Sequence, residues 1–261
     1  MTNSSHYSDC FFTDKEDDVL ISAGEIVPFL CDLFNPRSVV DVGCGTGLWL
    51  SEFRRRGKNV FGIDGDYVNR ELLRIPPDDF LAHDLTRPLP INRQFDLVLC
   101  LEVAEHLPPA SAFDLVRSLV GLGNIIVFSA AIPGQGGIQH LNEQWPAYWV
   151  DLFAKCGCEW KDLIRPTIWL NERILWYYRQ NMLVFFRGNS GHASGVQKSI
   201  FAVDGKPLPV VHPAMYRGLQ LNSDPTNISI GATTRFLGTA IRSAISRTIR
   251  RLNRFDSKML S

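Results

Sequence analysis

Val39-Val40-Asp41-Val42-Gly43-Cys44-Gly45-Thr46-Gly47-Leu48-Trp49 reads as a buried strand that runs into a glycine-rich turn and then a helix. Glycines there permit positive φ and let a ligand approach the backbone closely, while free N–H groups at the helix start can bind an anion. The spacing is Gly-x-Gly-x-Gly, with Leu48 where a dinucleotide fingerprint carries its third glycine. That departure from Gly-x-Gly-x-x-Gly argues against a dinucleotide pyrophosphate. Asp64 ends the next strand, Val60-Phe61-Gly62-Ile63-Asp64, 23 positions after Asp41. A carboxylate at that place can accept both ribose hydroxyls of a nucleoside lying across the switch point of a parallel sheet.

Outward from this turn the chain alternates short apolar runs with amphipathic stretches. Strands are expected at Ser38–Val42, Asn59–Ile63, Phe80–Ala82, Phe95–Leu101, Asn124–Ser129 and Met182–Phe186. Helices are expected at Asp14–Phe34 with a kink or break at Pro28, and at Leu48–Arg56, Tyr67–Leu73, Ser111–Leu122 and Glu143–Lys155. Such alternation implies βαβ units and a mostly parallel, doubly wound α/β sheet. The expected organisation is a loose leader at 1–13, a main domain at 14–187, a loop-rich linker at 188–232 and a basic tail at 233–261. Within the linker, Ser199–Val203 reads as a strand. With 45% hydrophobic residues and 16 Phe among 261, disorder throughout is excluded. No apolar run reaches the roughly 18 residues a membrane-spanning helix needs, and the polar N-terminus lacks a signal-peptide pattern. Six cysteines are too few for a disulfide scaffold, and Cys156-Gly-Cys158 has the wrong spacing for a zinc or redox pair. A reduced, cytoplasmic protein is therefore expected.

The glycine turn, with Asp41 inside the strand end and Asp64 in register, resembles motif I of the class I S-adenosylmethionine-dependent methyltransferases. His83-Asp84-Leu85 follows the third strand, where that family places an acid against the adenine amino group. The run Phe95-Asp96-Leu97-Val98-Leu99-Cys100-Leu101-Glu102 matches motif IV in position and pattern. The resemblance covers about residues 18–187. It implies a Rossmann-like seven-stranded sheet, with the last, antiparallel strand supplied by Met182–Phe186. It also implies S-adenosyl-L-methionine as cofactor, with Asp41, Gly43, Cys44, Gly45, Gly47, Asp64, Asp84, Leu85 and Leu101 at its site. Gly43 and Gly45 would line the methionine end and Gly47 would permit tight packing of the helix. The protein must then align an acceptor with the S–CH3 bond and remove its proton.

Leu101-Glu102-Val103-Ala104-Glu105-His106-Leu107-Pro108 places two carboxylates and an imidazole straight after the fourth strand. Charged groups there are costly unless solvated, paired or used. The Glu-x-x-Glu-His spacing is similar to that of the ubiquinone-biosynthesis O-methyltransferases and the small-RNA 2′-O-methyltransferases, which bind a divalent metal there. In the latter a downstream His completes the site, and His140 in Gln139-His140-Leu141-Asn142-Glu143 occupies a comparable place. Two mechanisms stand open. Glu102, Glu105, His106 and His140 hold Mg2+ or Mn2+, or His106 or His140 acts as general base with Glu102 beside it.

Five of the six tryptophans lie between Trp145 and Trp176, and Trp176-Tyr177-Tyr178-Arg179-Gln180-Asn181 sets aromatics beside amides. Such surfaces suit a sugar, an aromatic ring or a base. Pro133-Gly134-Gln135-Gly136-Gly137 reads as a mobile loop over the cleft. The run from Pro133 through Trp149, and again Trp176–Asn181, looks like small methyltransferases of bacterial glycan, surface-polysaccharide and secondary-metabolite gene sets. No Asn/Asp-Pro-Pro-Tyr/Phe motif of amino-methylating enzymes is present, so the expected acceptor is a hydroxyl of a small molecule or glycan. The alternatives are an RNA 2′-O-methyltransferase and a non-catalytic binding module. The tail from Thr233 sets seven cations against Asp256, for a net +6 in a chain of net charge zero, so the preceding residues carry −6. Arg235–Phe255 reads as an amphipathic helix that packs on the domain, meets anionic lipid as a peripheral membrane contact or meets nucleic-acid phosphates. The acidic body speaks against nucleic acid.

Overall fold

The computed structural model describes residues 9–188, 202–203 and 206–223. The expectations for residues 1–8, for most of the 188–232 linker and for the basic tail at 233–261 lie outside the described residues. Helix α1 (Asp9–Phe34) begins earlier than expected and continues through Pro28. Pro28 removes one backbone hydrogen bond, but Ala23, Ile26, Val27, Leu30 and Phe34 on the same stripe are all buried in the core. That burial, at roughly 1.5–3 kcal/mol for each large apolar side chain, holds the helix together across the proline.

The sheet comprises β1 (Ser38–Val42), β2 (Asn59–Asp64), β3 (Phe80–Ala82), β4 (Leu97–Leu101), β5 (Ile125–Ser129), β6 (Cys158–Lys161) and β7 (Leu183–Arg187). Their order is β3-β2-β1-β4-β5-β7-β6. All neighbours are parallel except β7, which runs antiparallel to both β5 and β6. This is the Rossmann-like seven-stranded arrangement that the sequence implied. Strand β6 was not anticipated. Its run Cys158-Glu159-Trp160-Lys161 is polar and sits at the sheet edge, where only one residue of the four is buried.

Alternate residues of the central strands face opposite layers, as the two-residue strand period requires. Val39, Leu97, Leu99 and Val127 join α1 and α2 (Leu48–Arg55) in one core. Val40, Val42, Val98, Cys100, Ile126 and Phe128 join α3 (Ala112–Leu122) and α4 (Pro146–Lys155) in the other. Strand β1 leads toward β2 on one side, whereas its neighbour β4 leads toward β5 on the other. The switch point therefore lies between β1 and β4, with a crevice at their carboxyl ends. At the opposite edge, Asp96 staples the two strands by accepting the N–H groups of Arg37 (2.8 Å) and Ser38 (3.0 Å).

Two expected helices are shorter than their periodicity suggested. Tyr67–Leu73 contains only a single 3-10 turn at Arg70–Leu72, capped by the Asn69 side chain. Tyr67 and Leu72 are exposed, so no apolar face rewards a longer helix. The Glu143–Lys155 helix starts at Pro146. Proline favours the first helical position and holds the residue before it, Trp145, extended. Short helices α5 (Arg165–Ile168) and α6 (Trp176–Asn181) complete the α/β body. A small hairpin pairs β8 (Ala202–Val203) with β9 (Lys206–Pro207); of the strand expected at Ser199–Val203, residues 199–201 lie outside the described residues. Helix α7 (Pro213–Ser223) belongs to a second compact unit that starts at Pro213. Among the described residues no helix is long and apolar enough to cross a membrane.

Arg165 is fully buried at the start of α5. Its Nη2 donates to Asp162 Oδ2 at 2.7 Å, its Nε to the same oxygen at 3.0 Å, and its Nη1 to the Gln180 carbonyl at 3.3 Å. Removing one partner of a buried pair strands the other charge. Arg165→Met is expected to lower unfolding stability by about 3–5 kcal/mol, measured by chemical denaturation. A loss below about 1 kcal/mol would show that the pair is energetically idle.

Candidate active site

The turn after β1 holds three left-handed glycines, Gly43 (φ 84°), Gly45 (φ 53°) and Gly47 (φ 85°). A Cβ on Gly43 would lie 2.2 Å from Val103 Cγ2, so glycine is required there by contact as well as by φ. The N–H groups of Gly43 and Cys44 both donate to the Ile63 carbonyl, at 2.7 and 3.2 Å. Asp64 then fastens the turn from below. Its Oδ2 accepts Gly45 N–H (2.7 Å) and its Oδ1 accepts Gly65 N–H (2.7 Å) together with the Tyr67 hydroxyl. Burial raises the Asp64 carboxyl, and these donors oppose the rise.

Two adjoining cavities open at this edge, of about 750 and 430 Å³. The larger is lined by Gly43, Gly45, Asp64, Asp84 and Leu85 among others. The smaller is lined by Asp41, Cys44 and Leu101, and again by Gly43 and Gly45. Gly47 lines neither; it precedes α2 and approaches Ile75. Asp84 is exposed and accepts both the N–H (3.0 Å) and the hydroxyl (2.7 Å) of Thr86, which hold its carboxyl below the usual range. Asp41 is buried in β1, and its Oδ1 has no hydrogen-bond partner. Burial first, and then Asp64, push its carboxyl up to about 7.

At the end of β4 the chain bends sharply at Glu102, which takes a left-handed φ of 54°. For a non-glycine residue this costs about 1–3 kcal/mol and persists only where surroundings over-determine it. Here Glu102 N–H donates to the Ser129 carbonyl at 3.0 Å, Gln135 Nε2 donates to its Oε2 at 2.9 Å, and Asn181 Nδ2 donates to its Oε1 at 3.1 Å. Glu102 is thus held by amides and borders both cavities.

Glu105, His106 and His140 draw together beside it, with one ligand-capable atom from each within 4.8 Å of the others. Glu102 is not in that trio. Glu105 is buried, its Oε2 has no partner, and burial followed by the nearby Glu102 drives its carboxyl well up. The His106 ring meets the His140 ring nearly edge-on, centroids 4.9 Å apart. Burial first, then His140, hold His106 down to about 4, and its Nδ1 has no partner. His140 Nδ1 lies 2.8 Å from Glu143 Oε1.

The aromatic segment divides by role. Trp176, Tyr177 and Tyr178 line the smaller cavity with Trp49, whereas Trp149 is in the core. The loop expected to be mobile is fastened: Gly134 and Gly136 donate their N–H groups to Glu143 at 2.8 and 2.9 Å.

With this geometry in hand, a family model described as a methyltransferase domain matches residues 21–161, more than half of the chain. The chain belongs to the class I S-adenosylmethionine-dependent methyltransferases. It is 31% identical over 151 residues to a ubiquinone biosynthesis O-methyltransferase of Alkalilimnicola ehrlichii, covering 50% of this chain and 56% of that protein. The same-named protein of Acinetobacter baylyi is 33% identical over 102 residues, covering 36% and 43%. The methyltransferase thus spans about half the length of the curated relatives it matches. Among solved structures, a sugar N-methyltransferase from Streptoalloteichus shares the fold with a TM-score of 0.55 at 17% identity, covering 72% of this chain and 98% of that one. The magnesium protoporphyrin IX methyltransferase of Synechocystis, solved with bound SAH, gives 0.52 at 18% identity, covering 68% and 88%.

Sequence reasoning missed Gln135, Glu143 and Tyr67 in this methyltransferase. For Glu143 a signal existed in the His140-x-x-Glu143 spacing. Tyr67 is likewise three positions from Asp64, whereas Gln135 reaches Glu102 across 33 positions, which no local pattern reveals. Gly43→Ala is expected to lower stability by about 2–5 kcal/mol through left-handed strain and overpacking. Gly57→Ala, also left-handed but facing open space, is expected to cost only about 1–2 kcal/mol. Equal losses in denaturant titrations would remove the contact argument for Gly43.

Proposed function

We propose that this methyltransferase uses S-adenosyl-L-methionine to methylate a hydroxyl oxygen of a small-molecule or glycan acceptor. One observation carries the reading. Asp41, Asp64, Glu102 and Glu105 bring four carboxyls to the edges of two joined cavities, and no Lys or Arg lines the smaller one among the described residues. Such a site favours a cationic ligand. When bound, S-adenosyl-L-methionine supplies an electrophilic methyl group on a sulfonium centre. The left-handed glycines clear the backbone for its methionine portion, Asp41 faces its ammonium, and Asp64 with the exposed Asp66 borders the place of its ribose. Leu85 and Asp84 border the adenine end.

Glu105, His106 and His140 fit a divalent cation such as Mg2+ or Mn2+, since two of the three present buried atoms without partners. A cation held there would lower the pKa of an acceptor hydroxyl. Glu102, held by Asn181 and Gln135, borders the same space and orients the acceptor by hydrogen bonding. Trp176 and Tyr177 offer faces to a ring. The relatives named O-methyltransferases support oxygen as the acceptor atom. A phosphodiester would find no cation lining the smaller cavity among the described residues, which favours a small acceptor over RNA.

Titration calorimetry with the demethylated cofactor, SAH, tests the cofactor site; a folded chain that binds neither it nor S-adenosyl-L-methionine would sink the proposal. Mn2+ titration followed by electron paramagnetic resonance is expected to show one site that Glu105→Gln weakens at least about tenfold. No Mn2+ binding would instead leave His140 as general base.

The pH dependence follows from Asp41. Its folded value of about 7 lies above the unfolded value. The stability this group contributes to the free protein is therefore complete below about pH 4 and lost as pH rises through about 7. A bound ammonium favours the ionised form, so cofactor affinity is expected to climb with pH up to about 7 and then level. Asp41→Asn should flatten that slope in calorimetry from pH 5.5 to 8; an unchanged slope would remove Asp41 from the site.

A further inference from the structure

The Pro133–Gly137 loop is held by two ties that end on different sides of the site. Above, the Glu143 carboxylate accepts Gly134 N–H on Oε2 (2.8 Å) and Gly136 N–H on Oε1 (2.9 Å). Gly134 and Gly136 have φ of 82° and 71°, so the loop curls around the carboxylate in a shape that only glycine adopts freely. Below, the Gln135 side chain between them turns inward. Its Nε2 donates to Glu102 Oε2, and its Oε1 accepts from Asn181 Nδ2 (3.0 Å) and Gln180 Nε2 (3.2 Å).

Glu143 Oε1 carries a second bond, 2.8 Å from His140 Nδ1. Both Glu143 oxygens already accept a backbone N–H, so Glu143 is the acceptor in its bond with His140. Nδ1 then bears a proton, and in the neutral imidazole Nε2 is the lone pair. Gly137 covers that nitrogen closely, since a Cβ on it would come within 2.2 Å of Nε2. One carboxylate therefore sets both the tautomer of His140 and the path of the loop beside it.

We infer that Glu143 is a positioning residue that couples closure of the 133–137 loop to presentation of the His140 Nε2 lone pair toward Glu105 and His106. The inference rests on the proposed role of His140 but concerns only how the protein arranges it. With the loop closed, Glu143 is saturated and His140 is locked. If the loop lifts, Gly134 and Gly136 leave, Gln135 releases Glu102, and both flanks of the acceptor space loosen together. Such second-sphere carboxylates orient imidazoles used as ligands or bases.

The test uses the full chain labelled with 15N in histidine side chains, without metal or acceptor. Long-range 15N–1H correlation is expected to show His140, assigned by its disappearance in His140→Asn, protonated on Nδ1. Glu143→Ala should shift the proton population toward Nε2 and speed amide exchange of Gly134 and Gly136 by about tenfold. Glu143→Gln, which retains an acceptor oxygen, should restore the tautomer at least in part. His140→Asn should leave the two glycine amides protected. SAH calorimetry on each variant establishes that it folds and keeps the cofactor site, so a failure of the methyltransferase reading is recognised separately. An Nε2-protonated His140 in the parent chain would overturn the inference. So would a Glu143→Ala variant whose tautomer and glycine exchange match the parent.

Discussion

The withdrawal of four carboxyls from water at one sheet edge governs this molecule. Asp41, Asp64, Glu102 and Glu105 reach one sheet edge from three short segments, at the ends of β1, β2 and β4, and each has a carboxyl raised by burial. The protein relieves two of them internally. Asp64 takes two backbone N–H groups and a phenol, and Glu102 takes two side-chain amides. Asp41 and Glu105 each keep a buried oxygen without a partner. In the proposed function this unrelieved pair is where positive charge would sit, one beside the glycine turn and one beside the imidazoles. A fold that left these groups uncompensated would sacrifice stability for no return.

The relieved pair has a different office. Asp64 and Glu102 shape backbone: the first knits the turn after β1 to the end of β2, and the second stabilises a left-handed bend at the end of β4. These two bends face each other across the switch point, and their separation defines the crevice. Val103, directly after the second bend, lies against the missing Cβ of Gly43, so the two loops fit each other closely.

The sequence disclosed this centre well because its signals are local. Asp41 with three glycines, Asp64 at the end of the next strand and Glu102-x-x-Glu105-His106 each declare themselves within a few residues. His140, 34 positions after His106, was offered only by the family resemblance. What escaped depends on long-range closure. Strand β6 is short and polar, and its pairing with β7 decides its conformation more than its own composition does. Glu143 was read as the first turn of a helix, but Pro146 delays the helix and frees Glu143 to serve the loop. Asn181 was quoted only as one amide among aromatics; its bond to Glu102 spans 79 positions, and no periodicity reports that. Asp96 matched a family pattern yet sits at the far edge, joining strands.

The reversed course of β7 sets where its neighbouring amides arrive. Leu183 pairs with Phe128 near the end of β5, and Phe186 with Ile125 at its beginning. A strand laid the other way would place its entrance about 16 Å off, given five residues at roughly 3.3 Å apiece. Reversal instead delivers the doorstep of β7, Gln180 and Asn181, to the working rim with no extra connecting chain. An insertion of a single residue between α6 and β7 would slide those amides out of reach while leaving every strand pairing intact, making that junction a length-sensitive seam of the methyltransferase.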